Sequence, residues 1–424
     1  MRSESPSTGT PVRPTPALSF VRFGDVPSRV RWLIGLLSFL TVSQGFYYVY
    51  VTAYLPEQGI SGEAVGLILA ASAASVVLSA IPLGVLSDRR GRKVVFLLGT
   101  MGLPPALLVY AFTSELINLI LAAIVIGVAQ GAFLTTWNAM IADQTALESR
   151  DHAFSLSFVV NIVANGLGAS VFILFPALSS LTGASLAALH HDALLFFAGL
   201  ACLSPISLAF LLRGFEEVSY PRTRFFHRGR KMNLLLKFSL LNGLVGLGAG
   251  FIIPLIATWF WLKFSVPDTF SGPLLALSLM TVGFAALWSA GLAKRYGPVK
   301  AIALTEGLST IFMVSLAFVP NAALAGGLYV VRAALMMMSS PISDSYLMSI
   351  IAPEDRGLAS AINSIVWRLP NSATTVIGGA LLQGGHFELP FLLAAAFYIS
   401  SIAGFYLTFR NVRPTVDDAA PSRG

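Results

Sequence analysis

The sequence predicts an all-α polytopic membrane protein, with twelve transmembrane helices in two pseudo-symmetric six-helix bundles. Hydropathy, run length and an internal repeat carry that reading. Charged residues are 11% of the 424-residue chain, the AVILMFWYC set is 55% and mean hydropathy is +0.77, whereas a soluble domain carries about 25% charged residues. A chain of this composition is solvated by lipid. Apolar runs long enough to cross a bilayer, about 20 residues each, follow one another along the chain. A charged loop, GVLSDRRGRK from Gly84 to Lys93, returns half a chain later in degraded form as GLAKRYGPVK from Gly291 to Lys300.

Residues 1–29 are rich in Pro, Ser and Thr with scattered Arg, too polar to bury a core, and are expected to form a disordered cytoplasmic tail. Apolar runs then fall at 32–54, 64–83, 94–113, 117–141, 153–178, 193–212, 234–262, 270–292, 300–319, 322–347, 358–382 and 389–409. Unbroken runs of this length must satisfy their backbone hydrogen bonds internally, which selects helices over barrel strands. The Ser/Gly/Ala-rich stretch 179–192 separates the fifth run from the sixth. The expected layout is therefore an N-terminal bundle at 30–213, a central cytoplasmic loop at 214–232, a C-terminal bundle at 233–410 and a cytoplasmic tail at 411–424.

Orientation follows from the 27 Lys and Arg. Lys263 alone faces out if the N-terminus is cytoplasmic, and Arg332 and Arg368 lie within spans. The others gather at one side, so the positive-inside rule places both termini in the cytoplasm of a cell (inner) membrane. The net charge of +7 is thereby explained as an orientation signal, and nucleic acid is not an expected partner. A lone cysteine, Cys202, excludes an intrachain disulfide and a thiolate metal cluster.

Gly84, Asp88, Arg89, Gly91, Arg92 and Lys93 spell G-x-x-x-D-R-x-G-R-K between the second and third runs. In residues and position this resembles the loop signature of the major facilitator superfamily. The second copy keeps Gly291, Arg295, Gly297 and Lys300, but carries Lys294 where the acid would stand. The loops after the fourth and tenth runs also correspond. Each has an Arg, Arg150 or Arg356, just before a new helix, and aligning them sets Asn138 opposite Asp344. The resemblance implies that the first loop latches the two halves in one state, Arg92 pairing with Asp143 at the end of the fourth span and Asp88 meeting a helix N-terminus. Lys294 puts a symmetric second latch in doubt.

Substrate sites of transporters with repeated halves lie near the midplane between them, where an ionisable side chain is a functional candidate by default. Arg332 and Arg368 are each about ten residues, roughly 15 Å, into their spans. Arg332 shares a helical face with Met336, Ser339 and Ser343, and Arg368 shares an arc with Asn363, Trp367 and Asn371. The first half offers Gln44, Tyr47 and Tyr48 on its first helix, Gln130, Trp137 and Asn138 on the fourth, and Asn161 and Asn165 on the fifth. Two midplane guanidinium groups favour an organic anion over a cation. Amphiphiles are served by Trp137, Trp259, Trp288, Trp367 and the run Met336 to Met338. Asp344 and Glu306 are the acids inside apolar runs and so the candidates for proton coupling, Asp344 the first of them, because the ninth helix is peripheral in the fold that the resemblance implies.

The expected function is thus secondary active transport of a small organic solute, anionic or amphiphilic, by alternating access with proton coupling. The alternatives are a proton-linked multidrug antiporter and a transporter-like receptor without flux. An enzyme is disfavoured: His190 and His191 fall in an outward loop, and neither a His-Glu-x-x-His nor a nucleotide-binding Gly-rich loop occurs. No cofactor or metal is expected. The partners are the solute, protons and lipid, and the chain is expected to work as a monomer.

Overall fold

The computed structural model describes residues 26–214, 232–351 and 356–412. Both expected tails and most of the central loop lie outside that range, as does much of the loop after the tenth span. Within it the chain forms twelve membrane-length helical segments. The first six are α1 (Ser28–Glu57), α2 (Gly62–Arg90), α3 (Arg92–Phe112), α4 (Leu116–Asp143), α5 (Leu147–Ser170, extended through a short 3-10 turn to Thr182) and α6 (Leu186–Leu211). The second six are α7 (Met232–Phe264), α8 (Asp268–Tyr296), α9 (Pro298–Ala317), α10 (Ala322–Ile350), α11 (Arg356–Gln383) and α12 (Leu389–Phe409). Among the described residues, ten of these are long and apolar enough by themselves to cross a membrane. Ser271 and Ser278 of α8 and Asn371 and Thr375 of α11 are buried.

One boundary departs from the sequence expectation. The stretch 179–192 is not a loop: α5 runs to Thr182 and α6 begins at Leu186. Gly183 ends the first helix in the left-handed region, φ 71°, and the Ser185 hydroxyl accepts from the Ala188 N–H at 3.2 Å to open the next. This C-cap glycine and N-cap serine compress the turn to three residues. His190 and His191 therefore sit on a helix.

The repeat read in the sequence is a repeat of packing. In the first half α1 lies against α5 and α6, and α4 lies against α2 and α3; in the second, α7 lies against α11 and α12, and α10 lies against α8 and α9. Small residues let the equivalent pairs approach closely. A Cβ on Gly168 would stand 1.8 Å from the Val42 carbonyl oxygen across the α1–α5 contact, and one on Gly246 2.3 Å from the Trp367 carbonyl oxygen across α7–α11. The second glycine of each loop copy has a backbone reason too. Gly91 (φ 97°, ψ 148°) and Gly297 (φ 78°, ψ 157°) each end one helix and start the next in a region open essentially to glycine alone.

The halves meet through α2 against α11 and α5 against α8, again a symmetric set. One end of the molecule carries the basic loops; the other carries Glu57, Glu63, Glu115, Asp268 and Glu388 at helix ends, and we call these the basic and acidic ends. Toward the acidic end one apolar core spans both halves, joining Phe46, Tyr50, Phe172 and Leu194 to Leu255, Trp259, Phe260 and Phe391. At the basic end each half has a core of its own. Val30, Ile34, Ile141 and Ala153 form one, and Phe238, Ile302, Tyr346 and Phe409 form the other. The bundles are joined at the acidic end and part toward the basic end. Leu78, Phe112 and Trp288, each more than 70% exposed, are among the large apolar side chains left on the surface for lipid.

Candidate functional site

On α1, Thr41, Gln44 and Tyr48 repeat at helical spacing on one face. Tyr48 donates to the Pro254 carbonyl of α7 at 3.3 Å, so that face looks across at the second half. Gln44 lines a cavity of ≈ 50 Å³ with Thr41, Gln130 and Asn161, closed in by Leu37, Leu40, Ile126 and Phe133. Asn165 lies one turn from Asn161, beside the residues of α5 that touch α8, Ile162 and Gly166. Asn138, nearer the basic end of α4, is exposed, as is its counterpart Asp344 on α10. Gln44, Gln130 and Asn161 thus share one cavity within the first half.

In the second half, α11 carries the guanidinium of Arg368. Along α11, Thr375 and Gly379 press on Gly66 and Gly62 of α2. Arg368 continues that stripe about two turns toward the basic end, where the halves have parted. It is half-buried, with no hydrogen bond or ion pair among the described residues. Its neighbours on the expected arc face elsewhere. Asn363 accepts from Asn242 of α7 at 2.9 Å, Asn371 donates to the Gly246 carbonyl at 3.0 Å, and Trp367 packs against the apolar core. The two amides tie α7 to α11.

Arg332 departs from expectation. It is 3% exposed and turns into the C-terminal bundle, donating to the Tyr398 hydroxyl of α12 at 3.5 Å, while its Nε has no partner among the described residues. Glu306 of α9 is close enough to act on the same Tyr398 and lies in hydrogen-bonding range of buried Ser339. The expected stripe of α10 thus faces a neighbouring helix pair, and the acid that seemed peripheral lies in the same cluster as the arginine. Ser343 is partly buried farther along α10. Tyr47 also points inward, its hydroxyl 3.2 Å from that of Tyr110. Of the tryptophans, Trp137 bonds Ser157 at 3.1 Å and stacks on Phe96 and Phe133, Trp259 is fully buried and Trp288 is exposed. Helical spacing groups residues by face but does not give the neighbour each face meets.

At the basic end, Arg92 at the start of α3 forms a salt bridge with Asp143 at the end of α4. The pair lies within one half. Gly84 and Gly91 are partly buried, Arg89 is exposed and Lys93 is partly buried; the Asp88 side chain lies outside what is described.

The acidic end holds residues that the sequence reading passed over. Gly62 N–H donates to Gln383 Oε1 at 2.7 Å, and Thr258 donates to the Thr52 carbonyl at 2.6 Å. Glu57 of α1 accepts the Asp268 N–H at 2.5 Å, and Asp268 of α8 meets His190 of α6 at 2.5 Å. All of these cross between the halves. Pro267 at the N-cap of α8 gives no side-chain cap, so Glu57 supplies an acceptor from the other half. The available sequence signal was an acid directly after proline at a helix start, with a histidine in the first turns of another helix at the same membrane face.

Two like bundles of membrane-length helices, packed against each other through symmetric helix pairs, are the architecture of an integral membrane protein. A family model of the Major Facilitator Superfamily matches residues 32–234 and 238–424, and the chain belongs to that family. Transporters of this family act on small molecules from within lipid. Among similar proteins, the Multidrug resistance protein MdtG of Proteus mirabilis (strain HI4320) is 24% identical over 342 residues, which is 77% of this chain and 81% of that protein. The Gallate transporter of Pseudomonas putida is 27% identical over 143 residues, 32% of each chain. The solved nucleoside transporter NupG superposes with a TM-score of 0.70 at 13% identity, covering 91% of this chain and 100% of that one. A bacterial homolog of the human lysosomal transporter Spinster, in an inward-facing and occupied conformation, gives 0.66 at 14% identity over 90% and 96%. Identities this low show the shared fold alone.

Proposed function

We propose that the chain is a proton-coupled secondary transporter that moves a small organic anion, or an amphiphile bearing an anionic group, by alternating access. Arg368 carries the proposal. It is a half-buried cation with no hydrogen bond or ion pair among the described residues, two turns along α11 from the stripe that packs on α2. A guanidinium in that setting gains most from a carboxylate or phosphate that forms paired hydrogen bonds. Gln44, Gln130 and Asn161 supply neutral donors and acceptors on the facing wall, and Leu37, Leu40 and Phe133 supply apolar area for the rest of the solute. The partial match to a gallate transporter, whose solute is an aromatic carboxylate, supports the same class.

The basic end is taken as cytoplasmic by the positive-inside rule, which makes this conformation inward-facing, in a cell (inner) membrane with both termini in the cytoplasm. The chain works as a monomer in this reading, since both gates and both cleft walls come from one copy. Glu306, beside Ser339 and the Arg332–Tyr398 contact, is the first candidate for the transported proton; Asp344, exposed on α10, is the second.

A second reading, efflux of unrelated drugs, is favoured by the apolar lining of the Gln44 cavity and by the longer match to MdtG. Uptake of labelled benzoate into proteoliposomes, with and without an imposed pH gradient, separates the two. The anion reading expects flux that the gradient stimulates, that other aromatic carboxylates inhibit and that tetraphenylphosphonium leaves unchanged. Competition by the cation and not by carboxylates would replace it with the drug reading.

A further inference from the structure

We propose that His190 and Asp268 form a proton-binding lock on the acidic-end gate, so that closing this gate takes up a proton and opening it releases one to the same side. Nδ1 of His190 lies 2.6 Å from the Leu186 carbonyl oxygen and Nε2 lies 2.5 Å from Asp268 Oδ2. Both partners are acceptors when Asp268 is ionised, and a neutral imidazole has one N–H to give. One contact would then set a nitrogen lone pair against an oxygen lone pair. The arrangement is satisfied in two ways: an imidazolium donates through both nitrogens, or a neutral ring donates from Nδ1 and accepts at Nε2 from a protonated Asp268. Each holds one more proton than a neutral histidine with a carboxylate, so the proton count does not depend on where the proton rests.

The surroundings make that proton belong to the closed gate. His190 and Asp268 are each 2% exposed. The ring stacks on Tyr54 at 3.6 Å with planes 7° apart, and Phe175 meets it edge-on at 4.5 Å. The titratable groups facing the pair are Tyr54 and Glu57 of α1. Phe172 and Phe175 of the α5 segment bring rings alone, while on α6 His191 turns to Phe112 and Asp192 is exposed. Among the described residues, two acids and no second cation thus face the imidazole, and Glu57 is committed to the Asp268 N–H at 2.5 Å.

The two partners belong to different bundles, His190 to the first and Asp268 to the second. When the gate opens they separate into water, which supplies each with its own donors and acceptors, and the arrangement that needed the extra proton is gone. Closed binds more protons than open, so lowering the pH on the acidic-end side favours closed. The proton returns to the side it came from, which makes the pair a sensor of that compartment, distinct from the coupling proposed at Glu306. The inference rests on the two-state motion and not on the identity of the solute.

The test measures the gate directly, without flux. Spin labels at Leu181→Cys and Leu324→Cys, both exposed near the acidic end of opposite halves, are placed in a Cys202→Ser background in nanodiscs. Their distance distribution is recorded from pH 8.5 to 5.5. The closed-to-open ratio is expected to rise by up to tenfold per pH unit, the slope for one proton. His190→Gln, which keeps a donor toward Asp268 and cannot titrate, is expected to flatten the slope. Asp268→Asn should do the same by giving a neutral Nε2 a donor, so two variants of opposite chemistry converge. A pH-independent ratio in the wild type, or an unchanged slope in folded His190→Gln and Asp268→Asn, would overturn the proposal. Loss of benzoate flux with the slope intact would count against the solute reading and leave the lock standing.

Discussion

The acidic and basic ends are built from the same repeated helices but are held together differently. At the acidic end the hydrogen bonds from Glu57, Gly62, Asp268 and Gln383 join one half to the other over a continuous apolar core. At the basic end Arg92 bonds Asp143 of its own half, and the cores are separate. An end sealed between bundles is a gate in its closed state, while an end braced within a bundle is a rigid edge that moves with it. The difference teaches that the loop signature and the gate in use are distinct devices, set at opposite faces of the membrane.

The sharpest way to break this contrast is to overfill a glycine contact within a bundle and one between bundles. Gly168→Leu must displace the Val42 backbone, 1.8 Å from the new Cβ, and Gly379→Leu the Gly62 carbonyl at 2.3 Å. Overpacking of this kind costs about 1–3 kcal/mol or more. Gly168→Leu is expected to lower the unfolding temperature in a thermal assay. Gly379→Leu should leave it nearly unchanged and open the acidic end, read as longer distances between the labels, because only one conformational state makes that contact. Equal losses of stability would mean that the inter-half joint is not a gate.

A smaller effect separates the two arginines. Arg368→Gln is expected to lower kcat/KM for an anionic solute about 10- to 100-fold, the range for a lost charged hydrogen bond, with stability retained. Arg332→Gln should lower stability by about 1–3 kcal/mol without changing the preference for anions over cations. Reversal of the two phenotypes would move the substrate site behind α10.

The smallest effects lie at the basic end. Arg92→Gln, which removes a partly exposed pair, is expected to change stability by less than about 1 kcal/mol. Asp88→Asn should slow transport while substrate affinity stays near normal, since its role would lie in the balance between states. A full transport rate in Asp88→Asn would remove the latch from the account.

Much of the fold was legible because lipid imposes a simple code. Run length, Lys263 as the one outward cation and the loop from Gly84 to Lys93 gave helix number, expected orientation and family. The cleft was legible in part. Gln44, Gln130 and Asn161 were read as polar positions at depth and do line one cavity. Arg332, Tyr47, Asn363 and Asn371 were read with them because a helical wheel gives a face and not the neighbour opposite; in the structure their partners are Tyr398, Tyr110, Asn242 and Gly246. The His190–Asp268 pair was invisible for another reason. Its residues are 78 positions apart, each unremarkable at a span end, and only the docking of two bundles makes them one buried group.

Thiol accessibility of the cleft tests the central claim most directly. With Asn161→Cys as the only cysteine, in a Cys202→Ser background, a membrane-impermeant maleimide is added to one face or the other of sealed proteoliposomes of known orientation. Labelling is predicted from the face that carries Arg92 and Asp143, and in Gly379→Leu from the opposite face. Labelling of the unaltered gate from the face that carries His190 would contradict the account.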